Sequence, residues 1–119
     1  MLPLLHFQHY QAFQQALEQL RKTLSISDWE ESMLLEGYQN VQQLFQSQIA
    51  ILSADDVAPE QVSRWQSLQT EIYKQMRLLE TDMMLLQASR SSATSQRRVL
   101  SLCDRLNTLI QYGEVLLQL

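Results

Sequence analysis

Residues 59–90, PEQVSRWQSLQTEIYKQMRLLETDMMLLQASR, contain no glycine and, after Pro59, no proline. Within them Ile72, Met76, Leu79, Met83 and Leu86 follow one another at alternating steps of four and three, the spacing that keeps side chains on one stripe of an α-helix. The stretch therefore predicts one long helix over 58–90. A helix with a single apolar stripe is not stable alone in water, so the remaining segments must supply the surface that buries it.

The flanks of this helix are marked on both sides. Before it, SADDVAPE (residues 53–60) places two adjacent aspartates where a helix starts and Pro59 in its first turn, where a missing N–H costs little. After it, SSATSQRR (residues 91–98) opens with five small residues, four of them Ser or Thr of poor helix propensity, which predicts a turn and a fourth helix over 95–118. That helix carries Val99, Leu102, Leu106, Leu109 and Leu116 in the same rhythm, with Gly113 at the stripe position that lacks a side chain. A glycine there marks a close approach of a neighbouring helix. Val115, Leu116, Leu117 and Leu119 follow, an apolar end that should be held against the core.

Towards the N-terminus, Tyr10, Phe13, Leu17, Leu20 and Leu24 predict a first helix over 6–24, with Arg21 and Lys22 opposing the negative end of its dipole. Ser27 and Glu30 have the spacing of a capping box and predict that a second helix starts near Asp28 and runs to Ser53. Its stripe is Leu34, Tyr38, Val41, Phe45 and Leu52, widened by Leu44, Ile49 and Ile51; Gln48 takes a stripe position, and Gly37 weakens the first half. Trp29, in the first turn, reads as a lid on the core. Short connections between four helices give an all-α fold, a single domain over residues 1–119 built as an antiparallel up-down-up-down four-helix bundle.

Composition agrees with that reading. A chain of 119 residues, 45% apolar, forms one core, and two Gly and two Pro leave little material for sheet corners. The net charge of −4 gives no overall attraction to nucleic acid or anionic membrane. Residues 1–60 hold eight acids and two bases, net −6, and residues 61–119 five acids and seven bases, net +2. Cys103 has no partner for an intrachain disulfide, and no run approaches the roughly 18 apolar residues of a membrane span. A cytoplasmic protein is expected.

The residues offer little for chemistry. Cys103 beside a core stripe reads as an apolar filler, and His6 and His9, three apart, have no third His to complete a tight metal site. Glu71, Glu80 and Asp82 lack the Glu-x-x-His companions of a di-iron bundle, and no phosphate-cradling loop is present. The reading is a non-enzyme with no cofactor, no metal and no small-molecule substrate, acting through a surface. Leu78 and Leu85, seven apart on the back of the long helix, with Met84 beside them, form one expected partner-binding patch. Arg90, Arg97 and Arg98 form a second. In the bundle they lie at the end where Asp28, Glu30 and Glu31 lie, so exposed ion pairs are expected there.

LPLLHFQHYQAFQQALEQL (residues 2–20), RLLETDMMLLQASR (residues 77–90) with the SSATSQRR that follows, and the glutamine-rich composition together resemble PatD, the heterocyst frequency control family of cyanobacteria. The resemblance implies a regulator that binds FtsZ, the tubulin-like division GTPase, alters its assembly and limits how many cells of a filament differentiate. A homodimer would suit that role, since two identical faces bridge neighbouring filaments. A second likeness competes: DWEESMLLEG (residues 28–37) is similar to the Trp-Glu opening of flagellar or secretion-type export chaperones of the FliT kind, which bind helices of their substrate proteins.

Overall fold

A computed structural model describes residues 1–26 and 28–119 of the chain. The described residues are helical, with no strand, and four helices pack against one another: α1 (Leu4–Ser25), α2 (Glu31–Leu44), α3 (Val62–Gln87) and α4 (Ser92–Leu117). A π-helical turn, Phe45–Ile49, extends α2, and two short 3-10 turns, Ala54–Asp56 and Pro59–Gln61, lead into α3. The molecule measures 50 × 20 × 19 Å. Its longest helices, 26 residues each, account for ~39 Å of that length at 1.5 Å per residue.

The predicted stripes are the core. Tyr10, Phe13, Leu17, Leu20 and Leu24 of α1 are buried, as are Ile72, Met76, Leu79, Met83 and Leu86 of α3 and Leu102, Leu106, Leu109 and Leu116 of α4. Val99 is half-buried against them. Trp29 packs on the core as a half-buried lid, and Cys103 lies partly covered beside it. Burial, then the charge of Asp104, raises the Cys103 thiol above its ordinary range, against a smaller opposing effect of Arg21. Leu119 is drawn onto the core, where its carbonyl accepts from Gln61 Nε2 at 2.7 Å.

Several predicted boundaries need correction. The α-helical part of the second helix runs from Glu31 to Leu44 and not from 28 to 53; Glu30 stands at its N-cap with no side-chain cap hydrogen bond, and the expected Ser27 cap lies outside the described residues. Ile51, assigned to its apolar stripe, is exposed. Asp55 and Asp56 do not open the long helix but sit in a 3-10 turn of their own, capped by the Ser53 hydroxyl, which accepts from Asp55 N at 3.1 Å. The fourth helix starts at Ser92, because Ser91 caps it by accepting from Thr94 N at 3.1 Å. The break before it is real, with Ala88–Ser91 outside both helices.

The helices are not equally close. α1 packs tightly on α2 and on α4, and α4 on α3, whereas α2 and α3 make no comparable backbone contact. Glycines explain part of this. A Cβ on Gly37 would lie 3.0 Å from Leu20 Cδ1, so the missing side chain lets α2 settle onto α1. Gly113, half a bundle away, does the same between α4 and α1, where Gln14 fills the space. Two polar links add to the tight seams: Arg105 Nε donates to Asp82 Oδ2 at 3.0 Å between α4 and α3, and Arg21 Nη1 donates to Asn107 Oδ1 at 2.9 Å between α1 and α4.

The π-helical turn is held from outside. A wider turn leaves carbonyls without regular helical partners, and buried carbonyls must be paired. His9 Nδ1 donates to Gln48 O at 2.9 Å, Gln69 Nε2 to Ile49 O at 2.8 Å, Tyr73 Oη to Ala50 O at 2.8 Å, and His6 Nε2 to Ser53 O at 3.0 Å. Because a carbonyl only accepts, the protons sit on Nε2 of His6 and Nδ1 of His9. The two histidines are thus committed to two different carbonyls. Gln69 Oε1 in turn accepts from Tyr10 Oη at 2.6 Å, and Tyr10 Oη accepts from Trp65 Nε1 at 3.0 Å, a buried chain that ties α1 and α3 to the end of α2.

Candidate functional site

The end of the molecule that carries the α1–α2 and α3–α4 turns differs from the opposite end. There, α2 begins and α3 finishes, and the seam between them opens into two hollows. The outer one, about 190 Å³, is lined by Trp29, Glu31, Leu34, Leu35, Met83, Leu86, Gln87, Ser89 and Ser95. Deeper along the seam a second, about 270 Å³, is bounded by Leu35, Tyr38, Glu80, Met83, Met84 and Gln87. Both are smaller than the roughly 300–1,000 Å³ usual for small-molecule sites, and their size suits single side chains.

Trp29 separates the seam from a further shelf on α4 formed by Ser95, Gln96, Val99 and Leu100. Beside these hollows Met84 is 62% exposed and Leu100 65%. Met1, Leu4 and Leu5 at the start of α1 and Ile51 beyond the end of α2 are comparably exposed. An exposed apolar side chain next to a hollow marks an interaction surface more often than the same residue alone on a smooth face.

The residues singled out in the sequence are divided by the structure. Met84 faces the α2–α3 seam. Leu78 and Leu85 lie about 100–120° further round α3, by ~100° per residue, on the side of the helix flank that carries Asp82 and Gln75 towards α4. Leu78 and Leu85 thus share one flank of α3, and Met84 borders the next. Leu78 is half-buried, and Leu85 is 38% exposed. Arg90 and Arg97 are exposed and Arg98 half-buried; Arg97 Nη2 donates to Thr94 Oγ1 at 3.3 Å.

The first and third turns do meet, since Trp29 and Glu31 share a hollow with Ser89 and Ser95. The expected ion pairs between Asp28, Glu30, Glu31 and the three arginines are not formed. Among the described residues the ion pair is Asp82–Arg105, which sequence reasoning missed. A signal existed: Asp82 and Gln75 are seven apart at the edge of the α3 stripe, and Arg105 precedes Leu106 of the α4 stripe. Arg105 spans both, donating from Nη1 to Gln75 Oε1 at 3.0 Å.

The α2–α3 seam has an acidic rim. Glu31 stands at its mouth and Glu80 on its α3 wall, with no lysine or arginine lining either hollow. Burial, then the charge of Glu80, raises the phenol of Tyr38 above its ordinary range. α3 ends at Gln87 with no basic residue in its last turn, so the negative end of its dipole is not offset from within the helix.

Among the described residues no helix is long and apolar enough to cross a membrane, and no group of three or more His, Cys, Asp and Glu side chains is gathered as metal ligands would be. Comparison with protein families, with characterised proteins and with solved structures finds no match.

Proposed function

We propose that this chain is a cytoplasmic, non-enzymatic regulator that binds FtsZ, modulates its assembly and limits the frequency of heterocyst differentiation. The identity of the partner comes from the PatD-like stretches at residues 2–20 and 77–98. The observation that carries a protein-binding role is the hollowed seam between α2 and α3, with Met84 exposed at its lip, at the end of the molecule where two turns meet.

In this reading the four helices alternate in direction, up-down-up-down, which stiffens the molecule and presents that end to a partner. Arg90, Arg97 and Arg98 meet acidic groups of the partner, and a symmetric pair of chains bridges neighbouring filaments. Sedimentation of FtsZ polymers with and without the chain tests it. A change in pelleted FtsZ is expected, reduced by Leu78→Lys with Leu85→Lys. Unchanged pelleting with the unaltered chain refutes the FtsZ assignment, and full activity of the double variant removes Leu78 and Leu85 from the binding face.

A second reading, an export chaperone of the FliT kind, is favoured by one observation: Trp29, Leu34 and Leu35 of DWEESMLLEG all line the same hollow. Affinity capture separates the two. FtsZ is recovered under the first reading, and flagellar late substrates or export components under the second.

A further inference from the structure

The α2–α3 seam combines three properties that rarely coincide by chance. It is the loosely packed seam of a bundle whose other neighbouring helices are in close contact. Its floor is apolar and adaptable, formed by Leu34, Leu35, Met83 and Leu86 with Met84 at the lip. Methionine side chains fill irregular gaps and adjust to different partners. Its lining, finally, includes the carboxylates Glu31 and Glu80 and no lysine or arginine.

The dimensions point to the shape of the occupant. From Glu31 to Gln39 on α2 and from Glu80 to Gln87 on α3, the walls are about two helical turns long, ~11–12 Å at 1.5 Å per residue. Two separate hollows along that length match two successive anchors on one face of a helix, at steps of three or four residues. An extended strand has no free sheet edge to join here, because the described residues contain no strand.

Charge then decides the chemistry of the flanks. Glu31, Glu80 and the carbonyl end of α3 all favour positive charge next to the apolar floor. Arg90 of the third turn and Arg97 and Arg98 of α4 line neither hollow. We infer that the α2–α3 seam is an acceptor groove for a basic amphipathic helix of a partner protein, with two aliphatic anchors in the hollows and Lys or Arg against Glu31 and Glu80. This rests on the reading that the chain works by binding protein; it does not depend on the partner being FtsZ.

The test uses the full chain and a fluorescein-labelled helical peptide of about sixteen residues, ~24 Å long, with leucines at steps of three and four and lysines on both flanks. Fluorescence anisotropy should show binding at least ~10-fold tighter than for the same peptide with glutamates in place of the lysines, and the difference should shrink as salt is raised. Met84→Lys and Glu80→Lys change exposed positions, so both variants should fold, as circular dichroism and melting will show. Each should weaken the basic peptide by ~10-fold.

Absence of binding, equal binding of the two peptides, or unchanged affinity in both variants overturns the inference. So does a dimer in sedimentation velocity that Met84→Lys abolishes, because the groove is then covered by a second copy. The FtsZ assignment is judged separately. If Met84→Lys loses the peptide but still alters FtsZ pelleting, the groove stands and FtsZ binds elsewhere; if FtsZ is untouched by every form of the chain while the peptide binds, the groove stands without that partner.

Discussion

Gln14 of α1 lies directly over Gly113 of α4: its Nε2 donates to the Ile110 carbonyl at 2.7 Å, and its Oε1 occupies the space that a Cβ on residue 113 would need. Gly113→Ala should therefore lower stability by about 1–2 kcal/mol. Displacing a buried, hydrogen-bonded amide costs ~1–3 kcal/mol, and the better helix propensity of alanine returns up to ~1. Urea denaturation checks the loss. Gln14→Ala added to Gly113→Ala should remove the clash, so the two changes should be non-additive in a double-mutant cycle.

Leu79 is fully buried at the middle of α3. Leu79→Ala should cost about 2–5 kcal/mol through lost transfer energy and the cavity left behind. The midpoint of a urea transition should fall while its slope stays constant, since the surface exposed on unfolding barely changes.

Tyr10 joins Trp65 to Gln69 in the buried chain that ends on the Ile49 carbonyl. Tyr10→Phe leaves Trp65 Nε1 and Gln69 Oε1 without that partner and should cost about 1–3 kcal/mol. Burial raises the Tyr10 phenol well above its ordinary value, outweighing the opposing hydrogen bond from Trp65. The folded chain thus keeps a proton that the unfolded chain releases above pH ~10. Stability from this group is complete below that pH and falls as pH rises further. Melts at increasing alkaline pH should show a shallower decline for Tyr10→Phe than for the unaltered chain.

Arg105 holds two side chains of α3 at once, Asp82 and Gln75, each at 3.0 Å. Asp82 is largely covered, with its side chain 12% exposed, so removing the guanidinium leaves a carboxylate poorly compensated. Arg105→Ala should destabilise by about 1–3 kcal/mol. Arg105→Lys keeps the charge but cannot reach both acceptors with one planar group, and its thermal midpoint should fall between the two.

The helical stripes were readable because burial and periodicity are the same fact seen twice: Ile72 through Leu86 repeat at helical spacing because they face one core. The close approach at Gly113 was readable for a similar reason, a stripe position without a side chain. The end of α2 was not. Its π-helical turn is stabilised by His9, Gln69 and Tyr73, which lie far away in sequence, and only Gln48 in an apolar slot hinted at a change of register. α4 starts three residues before its predicted position, because Ser91, one of the small residues that suggest a turn, serves as a cap. The groove was also hidden. Gly37 looked like a weak point in a helix, and only its contact with Leu20 shows that it draws α2 towards α1 and away from α3.

α2 leans along its length on α1, with its far end fastened through the carbonyls of the π-helical turn and no side-chain cap hydrogen bond from Glu30 at its near end. With two buried residues against nine in α1, such an element should open before the rest of the molecule unfolds, swinging about the fastened end. Its backbone amides should accordingly take up deuterium ahead of those in α1 and α4. The wall of the groove is thus the piece of the molecule that costs least to move, and a bound helix should slow deuterium uptake over Glu31–Leu44 more than over any other helix.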